Sequence, residues 1–194
     1  MPQPAKNAGR TNKKGTATAS ADAVQMLEQD HRAVERLFSE FDSGDAKRKQ
    51  AIAHQIFKEL EVHGTIEEEI FYPALRKQAD LGELGDLEQG ESDIAGQEGV
   101  DEEEDDEDDE TAEEVGEDVL DSAYEDHQAV KDLIGTLRGR TAQDPDFESG
   151  MAELRELVTN HVAEEEEVLF AEAKLKLDTA MVGRQMQERK QALA

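Results

Sequence analysis

The chain has 194 residues, with 49 acidic side chains against 21 basic, a formal net charge of −28, and no cysteine. This surplus of negative charge works against attraction to nucleic-acid phosphates or anionic lipid, and favours solubility and cation binding. Without cysteine neither disulfides nor thiolate metal sites exist, so a metal would fall to imidazole and carboxylate, donors suited to iron, manganese or zinc. No apolar run approaches the roughly 20 residues of a membrane span, and residues 1–20 lack the apolar centre of a secretory signal. The expected location is cytoplasmic.

Residues 1–20 are small, polar and basic, and read as a disordered tail. A first helix is expected from about Ala21 to Phe41, capped by Ser20 or Asp22, with Val24, Leu27, His31, Val34, Leu37, Phe38 and Phe41 on one stripe. Ser43-Gly44-Asp45 makes the turn. A second helix from about Asp45 to Lys77 turns Ile52, Ile56, Leu60, His63, Ile66, Glu67 and Ile70 inward, and Pro73 is expected to kink or stop it. Residues 81–116 change character and include ten consecutive acidic residues, Asp101 to Glu110. Such a run repels itself and buries nothing, so a solvated, disordered linker is expected.

A third helix, from Ala112 or Glu117 to Leu137, carries Val119, Leu120, Ala123, His127, Val130, Leu133, Ile134 and Leu137 on its stripe. Asp144-Pro145-Asp146 opens a fourth, with Pro145 in its first turn. Met151, Leu154, Leu157, Val158, His161, Glu165, Val168 and Leu169 face inward there. Residues 179–194 read as a polar tail, fraying or forming a short extra helix.

The two halves repeat. Asp30-His31-Arg-Ala-Val34 matches Asp126-His127-Gln-Ala-Val130, and His63-x-x-x-Glu67 matches His161-x-x-x-Glu165. The histidines of each half lie 32 and 34 positions apart, a difference that a turn absorbs. Helical hairpins spanning 21–80 and 117–178, each with one apolar stripe, would cover each other as an all-α four-helix bundle, the insert lying outside the core. Residues four apart on a helix share a face at roughly 5–6 Å, so each His-x-x-x-Glu presents an imidazole and a carboxylate together. Four histidines in register and two inward glutamates exceed what tetrahedral zinc takes, and suit two ions that share carboxylates. Iron is the expected metal, ahead of manganese and zinc. His54 has no counterpart and reads as a surface or structural residue.

The order His…His-x-x-x-Glu…His…His-x-x-x-Glu resembles the hemerythrin-like HHE cation-binding family over about residues 22–175, the insert excepted. The resemblance implies an up-and-down antiparallel four-helix bundle around two non-haem iron ions in an Fe–O–Fe centre. By position, His31, His63, Glu67, His127, His161 and Glu165 would be the ligands, the glutamates bridging. Oxygen-carrying hemerythrins use a fifth histidine four residues after the third-helix one; here that position is Lys131. The gap shifts the expected activity from reversible oxygen carriage towards reaction with peroxide, O2 or NO, peroxide disproportionation being the most concrete form. Binding, storage or sensing without turnover is the alternative. Tyr124, Tyr72, Glu28 and Glu35 are candidates for an extra ligand. Glu68, Glu69, Glu164, Glu166 and Glu167 are expected at the surface. Asp30 and Asp126 rank low as orienting partners, because neighbours in sequence do not share a helix face.

Overall fold

The computed structural model describes residues 22–78 and 112–194, and the side chains from 118 onward in the second segment. The basic tail and the acidic run lie outside the described residues. Helix α1 spans Ala23–Ser43 and α2 spans Ala46–Ile66. A π-helical turn, Glu67–Phe71, comes directly after α2, and residues 72–78 continue helically. Helix α3 spans Ala112–Arg138, beginning at the earlier of the two expected starts and so inside the stretch 81–116. Helix α4, Phe147–Glu164, runs into a second π-helical turn, Glu165–Leu169, and then into α5, Phe170–Lys176. Helix α6 spans Thr179–Leu193. No strand occurs among the described residues, and none of the described helices is long and apolar enough to cross a membrane.

Local chemistry sets the boundaries. The Asp22 carboxylate accepts from the Gln25 amide at 3.1 Å and Asp45 accepts from Arg48 at 2.9 Å, so an aspartate caps each helix of the first hairpin. The entry to α4 differs from expectation. Pro145 sits in the preceding turn, and Asp144 Oδ2 accepts from the Thr141 amide and hydroxyl at 2.5 and 3.0 Å. That carboxylate closes the connection instead of capping the helix.

Helix α1 packs on α2, and α3 on α4. Two apolar clusters result. One holds Leu27, Ile66, Phe71, Tyr72, Leu120, Leu169 and Phe170; the other holds Val34, Phe38, Ile56, Phe57, Val130, Ile134 and Leu154. The histidines fall between them: His31 separates Leu27 from Val34, and His127 separates Ala123 from Val130. The buried polar layer is thus walled by hydrocarbon on both sides.

Of the two forms expected for residues 179–194, the short extra helix is the one present. Asp178 caps α6 by accepting from the Met181 amide at 2.9 Å, and Val182, Gly183 and Met186 are buried against the first cluster. The helix packs on α1, α2 and the first π-helical turn. Its low apolar content concealed this, because three buried positions anchor it and ion pairs do the rest.

Candidate metal centre

Four imidazoles and two carboxylates meet in the middle of the bundle. His31, His63, His127 and His161 are 5–6% exposed, and Glu67 and Glu165 are 0% exposed. Nε2 of His31 lies 3.1 Å from Nε2 of His63, and His127 stands in the same relation to His161 at 3.1 Å. Each glutamate connects the halves. Glu67 Oε2 lies 3.1 Å from His63 Nε2 on its own helix and 3.4 Å from His127 Nε2. Glu165 Oε2 lies 3.4 Å from His161 Nε2 and 3.3 Å from His31 Nε2. The donor atoms form two overlapping groups, His31–His63–Glu67–Glu165 and Glu67–His127–His161, each spanning no more than 4.8 Å.

For two of the four histidines the outer nitrogen explains why Nε2 points inward. His31 Nδ1–H donates to Glu166 Oε1 at 2.9 Å, and His127 Nδ1–H donates to Glu68 Oε1 at 2.9 Å. A carboxylate accepts only, so each bond fixes the proton on Nδ1 and leaves the Nε2 lone pair facing the centre. Arg32 holds the other oxygen of Glu166 at 2.7 Å, and Lys131 holds both oxygens of Glu68 at 2.6 and 2.7 Å. Against burial, which raises it, the bond from His31 and the Arg32 charge hold the Glu166 carboxyl below its ordinary range.

Two expectations from the sequence are corrected by this geometry. Glu68 and Glu166 are not free surface groups: their side chains are only 24% and 28% exposed, and each orients a histidine of the opposite hairpin. Asp30 and Asp126 do not act on their neighbours in sequence, but they approach histidines of the adjacent helix. Asp30 Oδ2 lies 3.7 Å from His63 Nδ1, and Asp126 Oδ2 lies 3.5 Å from His161 Nδ1. Glu69, Glu164 and Glu167 are exposed, as expected.

The π-helical turns are the feature with no sequence signature. In both, the amide after the turn bonds five residues back, Tyr72 to Glu67 and Phe170 to Glu165. The first precedes Pro73, whose missing N–H suits a widened turn. The second precedes Ala171, so proline is not the common cause; what the two turns share is a start at a buried glutamate of the cluster. One extra residue rotates the succeeding side chains by about 100°. Residues five apart then align, which brings Tyr72 and Phe170 over the centre and leaves Ile70 half-buried. Pro73 does not stop the helix, which continues through residue 78. Such turns concentrate at functional sites.

Of the four candidates for an extra ligand, the structure brings one to the cluster. The Tyr72 hydroxyl donates to Glu165 Oε1 at 2.7 Å and lies 3.3 Å from His127 Nε2. Burial first, then the Glu67 and Glu165 charges, raise its pKa, so it is a neutral phenol. Its counterpart Phe170 stacks on His31 at 5.6 Å without a hydroxyl, so the pseudo-symmetry breaks at this atom. Tyr124 is not in the cluster; its ring abuts Tyr72 edge-on at 5.1 Å. Glu28 and Glu35 turn outward, to Lys174 at 3.4 Å and Arg32 at 3.7 Å. His54 is exposed beside Gln50.

The arrangement fits cations. Both oxygens of Glu67 and Oε2 of Glu165 are buried without a hydrogen-bond partner, the nearby imidazoles lying outside hydrogen-bond geometry. Unsatisfied buried carboxylates cost several kcal/mol unless a positive charge compensates. With no cation bound, protons do this in part. Burial lowers the His63 pKa, but the Glu67 charge together with the Asp30 and Glu67 contacts and the Glu165 charge outweighs it and pushes the value up to about 10. Glu67 is correspondingly held well below its usual range by His63 despite its burial. A metal ion would displace that proton.

A helical bundle with His-x-x-x-Glu repeated on two facing helices and six inward donors defines a metal-binding four-helix protein. The model of the Hemerythrin HHE cation binding domain matches residues 22–114 and 107–173, and the chain belongs to that family. A crystal structure of a hemerythrin HHE cation binding domain-containing protein from Mycobacterium kansasii superposes with a TM-score of 0.59 at 16% identity, covering 89% of this chain and 86% of that one. A curated relative, a DNA nickase of Nostoc sp. (strain PCC 7120 / SAG 25.82 / UTEX 2576), is 23% identical over 158 residues. That match takes in 81% of this chain and 35% of the nickase, so the chain spans about a third of that relative's length.

Proposed function

We propose that the centre holds two non-haem iron ions and reacts with small oxygen or nitrogen species, with peroxide disproportionation as the leading activity. The observation that carries this is the pair of buried glutamates, each between an imidazole of its own hairpin and one of the other. His31, His63 and Glu165 would hold one ion, His127, His161 and Glu67 the other, with the two carboxylates shared. A pair of irons, each changing by one electron, would supply the two electrons that each half of peroxide disproportionation exchanges. Manganese fits the same donors; zinc would find four donors at each position, two imidazoles and two shared carboxylates, but has no redox chemistry to offer peroxide, O2 or NO.

The protein's own residues do the rest. Glu166 and Glu68 keep the His31 and His127 imidazoles in the metal-binding tautomer. Tyr72 offers a neutral O–H beside Glu165 Oε1, so one side of the centre has a hydrogen-bond donor and the other has only the Phe170 ring. A cavity of about 30 Å³ adjoins the four imidazoles and is otherwise lined mainly by Val34, Leu60, Val130, Val158 and Val162. This is room for one or two small uncharged molecules. A surface cleft of about 290 Å³ shares His31, Val34, Val158 and Val162 with it, which gives such molecules an approach between α1 and α4.

Metal analysis of the purified chain tests the reading, with about two irons expected per chain. Peroxide is then added to the iron-loaded protein. Sustained oxygen evolution supports turnover. A single stoichiometric colour change supports binding, storage or sensing instead. A chain that takes up neither iron nor manganese overturns both.

A further inference from the structure

The repeat places an aspartate immediately before the first histidine of each hairpin, facing Nδ1 of the second histidine. Asp126 Oδ2 stands 3.5 Å from His161 Nδ1, much as Asp30 stands to His63, but a lysine grips Asp30. Lys190 Nζ on α6 lies 2.5 Å from both Asp30 Oδ1 and Asp30 Oδ2. Lys190 and Asp30 are both shielded, at 26% and 18% side-chain exposure. Asp30 stays 3.7 Å from His63 Nδ1, beyond a direct hydrogen bond, and His63 Nδ1 is buried without a hydrogen-bond partner. His31 and His127, by contrast, donate to carboxylates at 2.9 Å.

We propose that Lys190 is a positioning residue of the metal centre: by holding both oxygens of Asp30 it offsets the negative charge of that carboxylate beside His63 and weakens His63 as a metal donor. This rests on the reading of the cluster as a metal centre. The physical reason is that a carboxylate on the outer nitrogen of an imidazole raises the basicity of the inner one. A lysine ammonium competes for the same carboxylate and adds a positive charge on the side from which the metal is held. Both effects act in one direction, loosening the ion at His63 relative to the ion at His161. The C-terminal helix therefore makes two chemically matched positions unequal. Its other ties show how the lysine is placed. Arg189 forks onto Glu69 at 2.6 and 2.9 Å, and Thr179 Oγ1 donates to Asp22 Oδ2 at 2.5 Å.

The test uses the full iron-loaded chain and measures iron release to a chelator together with the midpoint potential of the pair. Lys190→Met keeps the aliphatic stem and removes the charge. It is expected to slow release of one of the two irons by about tenfold, the scale of outer-partner effects on metal affinity, and to lower the potential. Lys190→Arg should match the wild type, because its fork still holds Asp30. Arg189→Met removes the neighbouring anchor from the same helix and should change neither readout. Should Lys190→Met fail to fold, Lys190→Gln takes its place with the same expected result. Unchanged release and potential in the neutral variant overturn the proposal. So does an equal change in Arg189→Met, which would mean a general loosening of α6. A wild-type chain that holds no iron fails the metal reading itself, a different outcome from either.

Discussion

Glu67→Gln separates a centre built around cations from one that merely tolerates its own charges. The substitution keeps size and shape and removes the anionic oxygen that faces both His63 at 3.1 Å and His127 at 3.4 Å. Glu67 is 0% exposed and neither oxygen has a hydrogen-bond partner, so little besides a cation can compensate it. A metal present at a thousand times its dissociation constant stabilises the fold by ~4 kcal/mol per site. For a chain of this length 1 kcal/mol moves the melting midpoint by roughly 2–4 °C, so the first ion should raise it by about 8–16 °C. Calorimetry with anaerobic Fe²⁺ against a chelator measures that shift. In Glu67→Gln it should fall below about 4 °C. Glu69→Gln is the control: the same chemistry two residues on, but exposed and paired with Arg189. It should retain the full shift. A Glu67→Gln chain with an undiminished shift, or a Glu69→Gln chain that loses as much, refutes the reasoning.

Other outcomes turn on single contacts. Tyr72→Phe leaves Glu165 Oε1 without its donor and should lower stability by about 1–3 kcal/mol in urea denaturation; no loss would mean that this bond does not hold the layer together. Val158→Phe narrows the wall shared by cleft and cavity. A side chain that must move aside at ~1.4 kcal/mol slows azide binding about tenfold in stopped flow, with iron content unchanged; an unaltered rate places the entry elsewhere. A methyl at Gly135 meets nothing within 4 Å, so Gly135→Ala should stabilise α3 by about 0.5–1 kcal/mol. At Gly150 it would meet Leu137 Cδ2 at 2.6 Å. Overpacking of ~1–3 kcal/mol there exceeds a helix gain of ~1 kcal/mol, so Gly150→Ala should lower the melting midpoint.

The sequence by itself determined the helical class, the duplicated hairpin and the six inward donors. These come from spacing along one chain: apolar residues three and four apart mark a buried stripe, and a histidine on that stripe with a glutamate one turn later must share its face. Tertiary structure decided which groups meet across space. His31 meets Glu166 at 135 positions' separation and His127 meets Glu68 at 59, distances over which no periodicity speaks. The π-helical turns belong to the same group: regular spacing assigned Ile70 to the interior, but the extra residue turned Tyr72 there instead. Helix α6 offered three buried residues among polar ones, too weak a stripe to read, and its Lys190 gains meaning only beside Asp30. Local pattern fixes which face of a helix is buried because that depends on pitch alone. Which charged group completes a buried donor depends on how helices cross, and crossing is settled by the packing of the whole bundle.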